Sequence, residues 1–166
     1  MERPANIVHT DEVDWYDKSH GKRYEWRRKC LGLEAGSRKL GCSLYELMPG
    51  KQSFPYHYHH GNEEAIYMLE GEGVLRLPSG NVPVKAGDYI ALPIGEASAH
   101  QVLNMSGAPL RYLCVSTMSE PDISVYPDTG KVGFFAGAAP GGRNELRTLE
   151  GFVRLDACVD YWHGEE

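Results

Sequence analysis

The chain has 166 residues, enough for one domain that buries its own core without disulfide staples. Its 42% apolar and 24% charged residues are ordinary for a folded globular domain and exclude the disordered and fibrous classes. The formal net charge of -6 argues against nucleic acid or an anionic membrane as a partner, because phosphate contacts need concentrated Lys and Arg.

Residues 1 to about 40 are polar with scattered aromatics (Trp15, Tyr16, Tyr24, Trp26) and read as an N-terminal arm with one or two edge strands. The basic cluster in this arm, Arg23, Arg27, Arg28 and Lys29, is interrupted by Tyr24, Glu25 and Trp26 and reads as a solvated face. From Gly41 the pattern tightens into short strands. Gly41 to Met48 alternates and ends at Pro49-Gly50; Tyr56 to His60 is short and closes on Gly61-Asn62. Glu64 to Leu69 is apolar on both faces after its first residue, which predicts a strand buried on both sides. Val74 to Leu77, Val82 to Lys85, Asp88 to Leu92, Gln101 to Asn104 and Leu110 to Thr117 follow at short spacing.

Turn residues separate these segments and no helical period is sustained, so residues 41–120 are expected to form an antiparallel all-β sandwich or barrel. Residues 121–166 change character, with Pro- and Gly-rich stretches, one more strand at Lys131 to Phe135, and the aromatics Phe152, Tyr161 and Trp162. They are expected to form a C-terminal extension packed on the barrel or on a partner subunit.

Cys30, Cys42, Cys114 and Cys158 are widely spaced and form no Cys-x-x-Cys pair, which gives no support to a zinc ribbon or a thioredoxin-like motif. The first residues lack the apolar run of a signal peptide, and no stretch reaches the ~18 apolar residues of a membrane span. The reduced cytoplasm is the expected compartment, with no membrane association.

The chemistry gathers between residues 57 and 100. His57 and His59 are two apart, so on a strand both imidazoles face one side. A turn follows, then Glu63 and Glu64 open the next strand, which can set a carboxylate beside the imidazole pair. A His-x-His alone is weak evidence, since surface histidines are common; the turn, the carboxylate and the Gly-punctuated strand strengthen it. Strand parity does not choose between Glu63 and Glu64. His60 points away from His57 and His59 on a regular strand, and His9, His20 and His163 read as surface residues.

These residues carry a resemblance to the cupins. The first cupin motif runs Gly, five residues, His-x-His, three or four residues, Glu, six residues, Gly; here Gly50, KQSFPY, His57-Tyr58-His59, HGNE, Glu64, AIYMLE and Gly71 follow it. The second runs Gly, five residues, Pro-x-Gly, two residues, His, three residues, Asn; here Gly87, DYIAL, Pro93-Ile94-Gly95, EASA, His100, QVL and Asn104 follow it. One extra residue precedes His57 and two extra precede His100, both in turns, which puts loop shape in doubt more than ligand identity.

The resemblance implies a double-stranded β-helix, the cupin jelly-roll barrel, holding one divalent metal through His57, His59, Glu64 and His100. Fe, Mn, Ni, Zn, Cu and Co all suit three imidazoles and one carboxylate. It also implies small-molecule chemistry in the barrel pocket, with a homodimer formed through the aromatic-rich arm and tail. Ile66, Met68 and Val102 share parity with Glu64 and His100 and are expected to line the pocket, with Phe54, Tyr56 and Met48 at its mouth.

No arginine stands on those inward positions; Arg76 and Arg111 read as exposed or salt-bridged, which disfavours a highly charged substrate. No general base beyond the ligands is visible, so no catalytic residue is assigned. The leading functional expectation is a mononuclear metalloenzyme, an oxidoreductase of the dioxygenase kind, acting on a small organic molecule. The alternatives are a non-catalytic sensor or storage module for a small ligand or metal, and a sugar isomerase or epimerase.

Overall fold

The computed structural model describes residues 3–166. Thirteen strands dominate it: β1 (Tyr16–His20), β2 (Tyr24–Lys29), β3 (Gly41–Leu47), β4 (Tyr58–His59), β5 (Glu64–Glu70), β6 (Glu72–Leu77), β7 (Gly80–Lys85), β8 (Tyr89–Leu92), β9 (Gln101–Leu103), β10 (Leu110–Ser116), β11 (Asp122–Tyr126), β12 (Lys131–Ala136) and β13 (Leu149–Arg154). One short helix, α1 (Leu31–Glu34), links β2 to β3. Every pairing between these strands is antiparallel.

The strands form a six-stranded sheet in the order β1-β2-β3-β10-β5-β8, a four-stranded sheet β13-β12-β11-β4 and a three-stranded sheet β7-β6-β9. Backbone bridges close the barrel between them. Gln52 bridges both Tyr24 and Leu103, and His57 bridges His100. This is the double-stranded β-helix. The core follows from alternation along the strands: Tyr45 and Leu47 of β3, Ile66 and Met68 of β5, Leu110 and Tyr112 of β10, with Trp26, Leu75, Val84, Leu92 and Val102.

Two sequence expectations are corrected here. The strand beginning at Glu64 is buried on one face only: Ile66 and Met68 point into the core while Tyr67 and Leu69 are 43% and 42% exposed. Apolar side chains on the solvent face of an antiparallel sheet hide the alternation that burial follows. The arm supplies two strands, yet β2 is internal, paired with β1 on one side and β3 on the other.

Beyond residue 120 the structure adds β11, β12 and β13, and β11 pairs directly with β4, setting Ser124 opposite His59. Phe152 packs against Phe135 and Tyr126 at centroid distances of 5.8 and 6.0 Å. Tyr161 and Trp162 meet edge to face and stand exposed. Among the described residues no helix is long and apolar enough to cross a membrane.

Candidate metal centre

Three chain segments, at His57–His59, Glu64 and His100, deliver the expected ligand residues to one place. His57 and His100 face each other across a two-bond backbone bridge: His57 N–H donates to His100 O at 3.1 Å and His100 N–H to His57 O at 2.8 Å. Their rings lie 4.7 Å apart, and His57 lies 5.0 Å from His59. Glu64 is the first residue of β5 and shares the inward face with Ile66 and Met68; Glu63 is exposed. Of the two carboxylates, Glu64 is the one that stands with the histidines. His60 is exposed beside Tyr58, pointing away from the site.

Ligand atoms of His57, His59 and Glu64 all fall within 4.8 Å of one another. His100 stands beside this group, its Nε2 at 3.5 Å from Glu64 Oε2, while His59 Nε2 lies 3.6 Å from the same oxygen.

The outer ring nitrogens fix the tautomers. His57 Nδ1 meets Pro55 O at 2.8 Å, His100 Nδ1 meets Ser98 O at 3.0 Å, and His59 Nδ1 meets Asp122 Oδ2 at 2.6 Å. Carbonyl and carboxylate oxygens only accept, so each Nδ1 carries the hydrogen and each neutral ring presents an Nε2 lone pair. For His59 and His100 that lone pair faces the Glu64 carboxylate, an acceptor opposed to two acceptors with no proton between them. A cation relieves this opposition, and the donor set of imidazole nitrogens and one carboxylate suits a divalent transition metal. His57, His59 and Glu64, with His100 beside them, are the residues that would hold it.

Without a metal, the groups differ in the charge they favour. Burial pulls the His57 imidazole down to about 3, helped by the neighbouring His100 and His59. Burial also opposes charge on His59, but the hydrogen bond to Asp122 and the nearby Glu64 outweigh it and raise its pKa. Burial would raise Glu64; contact with His100 and the positive charge that the surrounding histidines take up when protonated bring it to about 2 instead. The pocket therefore holds its carboxylate ionised and its buried His57 ring neutral.

Asp122 and Ser124 were not found from the sequence. Asp122 is 1% exposed, accepts from His59 Nδ1, and accepts from Gly61 N–H at 2.9 Å through its other oxygen. Ser124 Oγ lies 3.1 Å from His59 Nδ1. Their sequence signal is the polar-apolar alternation of DISVY, masked by the flanking Pro121 and Pro127. Gly61 fits because a Cβ there would lie 2.8 Å from Pro121 O and 3.0 Å from Asp122 Oδ1.

The site lines a cavity of about 230 Å³. Phe54, Ile66 and Val102 line it as expected; Tyr56 and Met68 do not. Met68 is wholly buried in the core, and the Tyr56 ring packs under the Arg76 guanidinium at 4.0 Å. Met48 is likewise absent from the wall. Arg76 pairs with Asp128, and Arg111 with Glu46 and Glu70, as the exposed or paired reading requires.

The expectation that arginine is missing from the wall is overturned. Arg28 and Arg147 both line the cavity, together with Ser53, Gln101, Cys114 and Tyr126. Arg28 shares the β2 face of the buried Trp26, a parity that reading the cluster as a solvated face ignored.

Comparison with known proteins agrees with this architecture. The cupin domain family matches residues 43–116. An uncharacterized protein of Methanocaldococcus jannaschii is 38% identical over 60 residues, which is 36% of this chain and only 46% of that relative's length. An oxalate-binding protein of Thermotoga maritima is 37% identical over 85 residues, 51% of this chain and 69% of that one. The crystal structure of a sugar phosphate isomerase from Silicibacter pomeroyi superposes with a TM-score of 0.77 at 25% identity, covering 91% of this chain and 94% of its own. The chain belongs to the cupin superfamily.

Proposed function

We propose that this cupin is a mononuclear metalloenzyme that transforms a small, oxygen-bearing organic molecule in its barrel cavity. The observation that carries the reading is the set of three imidazoles whose Nδ1 hydrogens are all engaged by acceptors, with the His59 and His100 Nε2 atoms turned to Glu64 and His57 grouped beside them. When bound, the metal supplies Lewis acidity and positive charge for oxygen atoms of the substrate. The chain's own residues position the molecule and exclude water: Phe54, Ile66 and Val102 give an apolar wall, and Ser53 and Gln101 give polar contacts. Burial raises the Tyr126 phenol, so it keeps its proton beside His57, with ring centroids 5.9 Å apart.

Two reaction classes share this site. The oxygenase reading rests on ligand chemistry alone. The isomerase reading gains support from the polar wall and from the length over which the sugar phosphate isomerase fold is shared. Non-catalytic binding is the remaining outcome, in keeping with the oxalate-binding relative. The reading places the protein in the reduced cytoplasm, in keeping with its four free cysteines. It also includes a homodimer, supported by exposed Tyr161 and Trp162; a monomer in sedimentation would remove that part.

The test is elemental analysis of protein purified without chelators, followed by assays with and without oxygen. Oxygen uptake with enolates or diketones assigns the oxygenase class. Interconversion of phosphorylated aldoses and ketoses without oxygen uptake assigns the isomerase class. Ligand binding without turnover assigns a binding role, and protein that neither retains nor regains a metal ion defeats the proposal.

A further inference from the structure

We infer that Arg28 and Arg147 form an anion subsite in the cavity wall, which receives the acidic group, carboxylate or phosphoryl, of the molecule held at the histidine end. The inference rests on the metalloenzyme reading for the other end of that molecule, but its own evidence is separate.

Both arginines line the same cavity as His57, His59 and Glu64, although they come from opposite ends of the chain. Each has a buried Nε with no hydrogen-bond partner, and among the described residues these are the two buried side-chain polar atoms left so. Buried donors are nearly always satisfied, so two orphans in one cavity wall point to a missing acceptor. Arg28 forms no salt bridge among the described residues; its hydrogen bond is a long one, 3.5 Å from Nη1 to Tyr45 Oη. It is held against the Tyr16 and Trp26 rings, 5.6 and 6.0 Å from their centroids.

Arg147 is positioned by Glu150 at 2.8 Å through Nη1, by Ala139 O at 3.4 Å through Nη2, and by the Phe135 ring at 5.1 Å, which leaves Nε over. Glu64 is the one carboxylate in the cavity wall, and it faces the histidines. Glu150, outside the wall, answers the charge of Arg147, so the positive charge left without a carboxylate is that of Arg28.

Guanidinium groups stay ionised and present planar donor edges that match carboxylate and phosphoryl oxygens. A cavity of about 230 Å³ limits the ligand to a small molecule. An acidic group at one end and oxygen atoms at the other is the substrate class that this arrangement selects.

The test uses full-length protein and two probes, acetate and inorganic phosphate, titrated calorimetrically at constant ionic strength, with metal content measured on every sample. At least one anion is expected to bind the wild type, and the tighter of the two identifies the source of the acidic group. Arg28→Gln is expected to weaken that binding about 10- to 100-fold with metal content unchanged. Arg147→Gln gives a second reading should the first variant fold poorly, and Arg28→Lys, which keeps the charge and loses the planar donor edge, is expected to recover only part of the affinity.

Wild-type affinity in both glutamine variants, or no binding of either anion to the wild type, overturns the subsite. Anion binding that survives removal of the metal and is lost in the variants upholds it. Protein that never takes up metal but still shows the arginine-dependent binding removes the metalloenzyme reading and leaves the subsite standing.

Discussion

Replacing Asp122 by Asn tests whether the centre depends on a proton held at one atom. Asp122 Oδ2 sits 2.6 Å from His59 Nδ1, and Oδ1 accepts from Gly61 N–H at 2.9 Å. Asn keeps the volume and can keep the Gly61 contact through its carbonyl oxygen. Its amide nitrogen then stands where Oδ2 stood, and it donates rather than accepts. Two donors cannot share that contact, so His59 either loses the bond or moves its hydrogen to Nε2. The second outcome removes the lone pair a metal needs; the first frees the ring to rotate. Substitutions of this kind cost about 10- to 100-fold in metal affinity, roughly 1.4 to 2.7 kcal/mol. Competition against a chelator of known affinity reads this directly, with circular dichroism as the control for folding. A folded Asp122→Asn protein that binds metal within about twofold of wild type would refute the reasoning, because the tautomer of His59 would then be set by something other than Asp122.

Three further outcomes are expected. Glu46, 2% exposed, bridges Arg27 and Arg111; since both guanidiniums reach solvent, Glu46→Gln should cost about 1 to 2 kcal/mol rather than the larger cost of a fully buried pair, measured by chemical denaturation. Gly61→Ala should lower stability by about 1 to 3 kcal/mol and weaken metal binding together, because the new Cβ meets Pro121 O and Asp122 Oδ1; a variant unchanged in both would contradict the close approach. In metal-free protein, His57 is held at about 3 by burial, against about 6.5 for an unfolded imidazole, so the unfolded chain binds the extra proton. Stability should then fall by up to about 1.4 kcal/mol per pH unit between about pH 6.5 and 3. His59, raised, acts in the opposite sense, its contribution present below about 6.5 and lost as pH rises through its folded value. A denaturation slope against pH that His57→Gln leaves intact would show that His57 is not its source.

The candidate ligand residues could be named because their signal is local. Two histidines at strand spacing, a turn and a carboxylate lie within eight residues, from His57 to Glu64. His100 needed the second motif, since its approach to His57 is made by a backbone bridge across the barrel. What the sequence hid was relational. Tyr67 and Leu69 look like core and are solvent-facing, because apolar character does not say which face of a sheet is covered. Arg28 looked like part of a charged surface, yet the strand it stands on turns it inward beside Trp26, and Arg147 comes from the C-terminal extension, between its Gly-rich stretch and its aromatic tail. Asp122 and Ser124 lie on a strand only five residues long between two prolines, too brief for alternation to stand out.

These hidden residues share a place in the topology, and that has a consequence for what the family match covers. Residues 43–116 include all four expected ligands but none of Asp122, Ser124, Tyr126 or Arg147. The strand carrying His59, β4, has its ladder with β11. The hydrogen bond that fixes the His59 ring comes from the same strand. So the matched segment supplies the barrel and the candidate ligand atoms, while the extension supplies the orientation of one of them and part of the cavity wall. The acidic-group specificity inferred for Arg147 also resides in the extension, whereas Arg28 lies in the arm. Chains that share the central barrel but differ in these flanking segments would retain the means to hold a metal and differ in what they present to it, so the flanking segments are where this protein's substrate choice has to be sought.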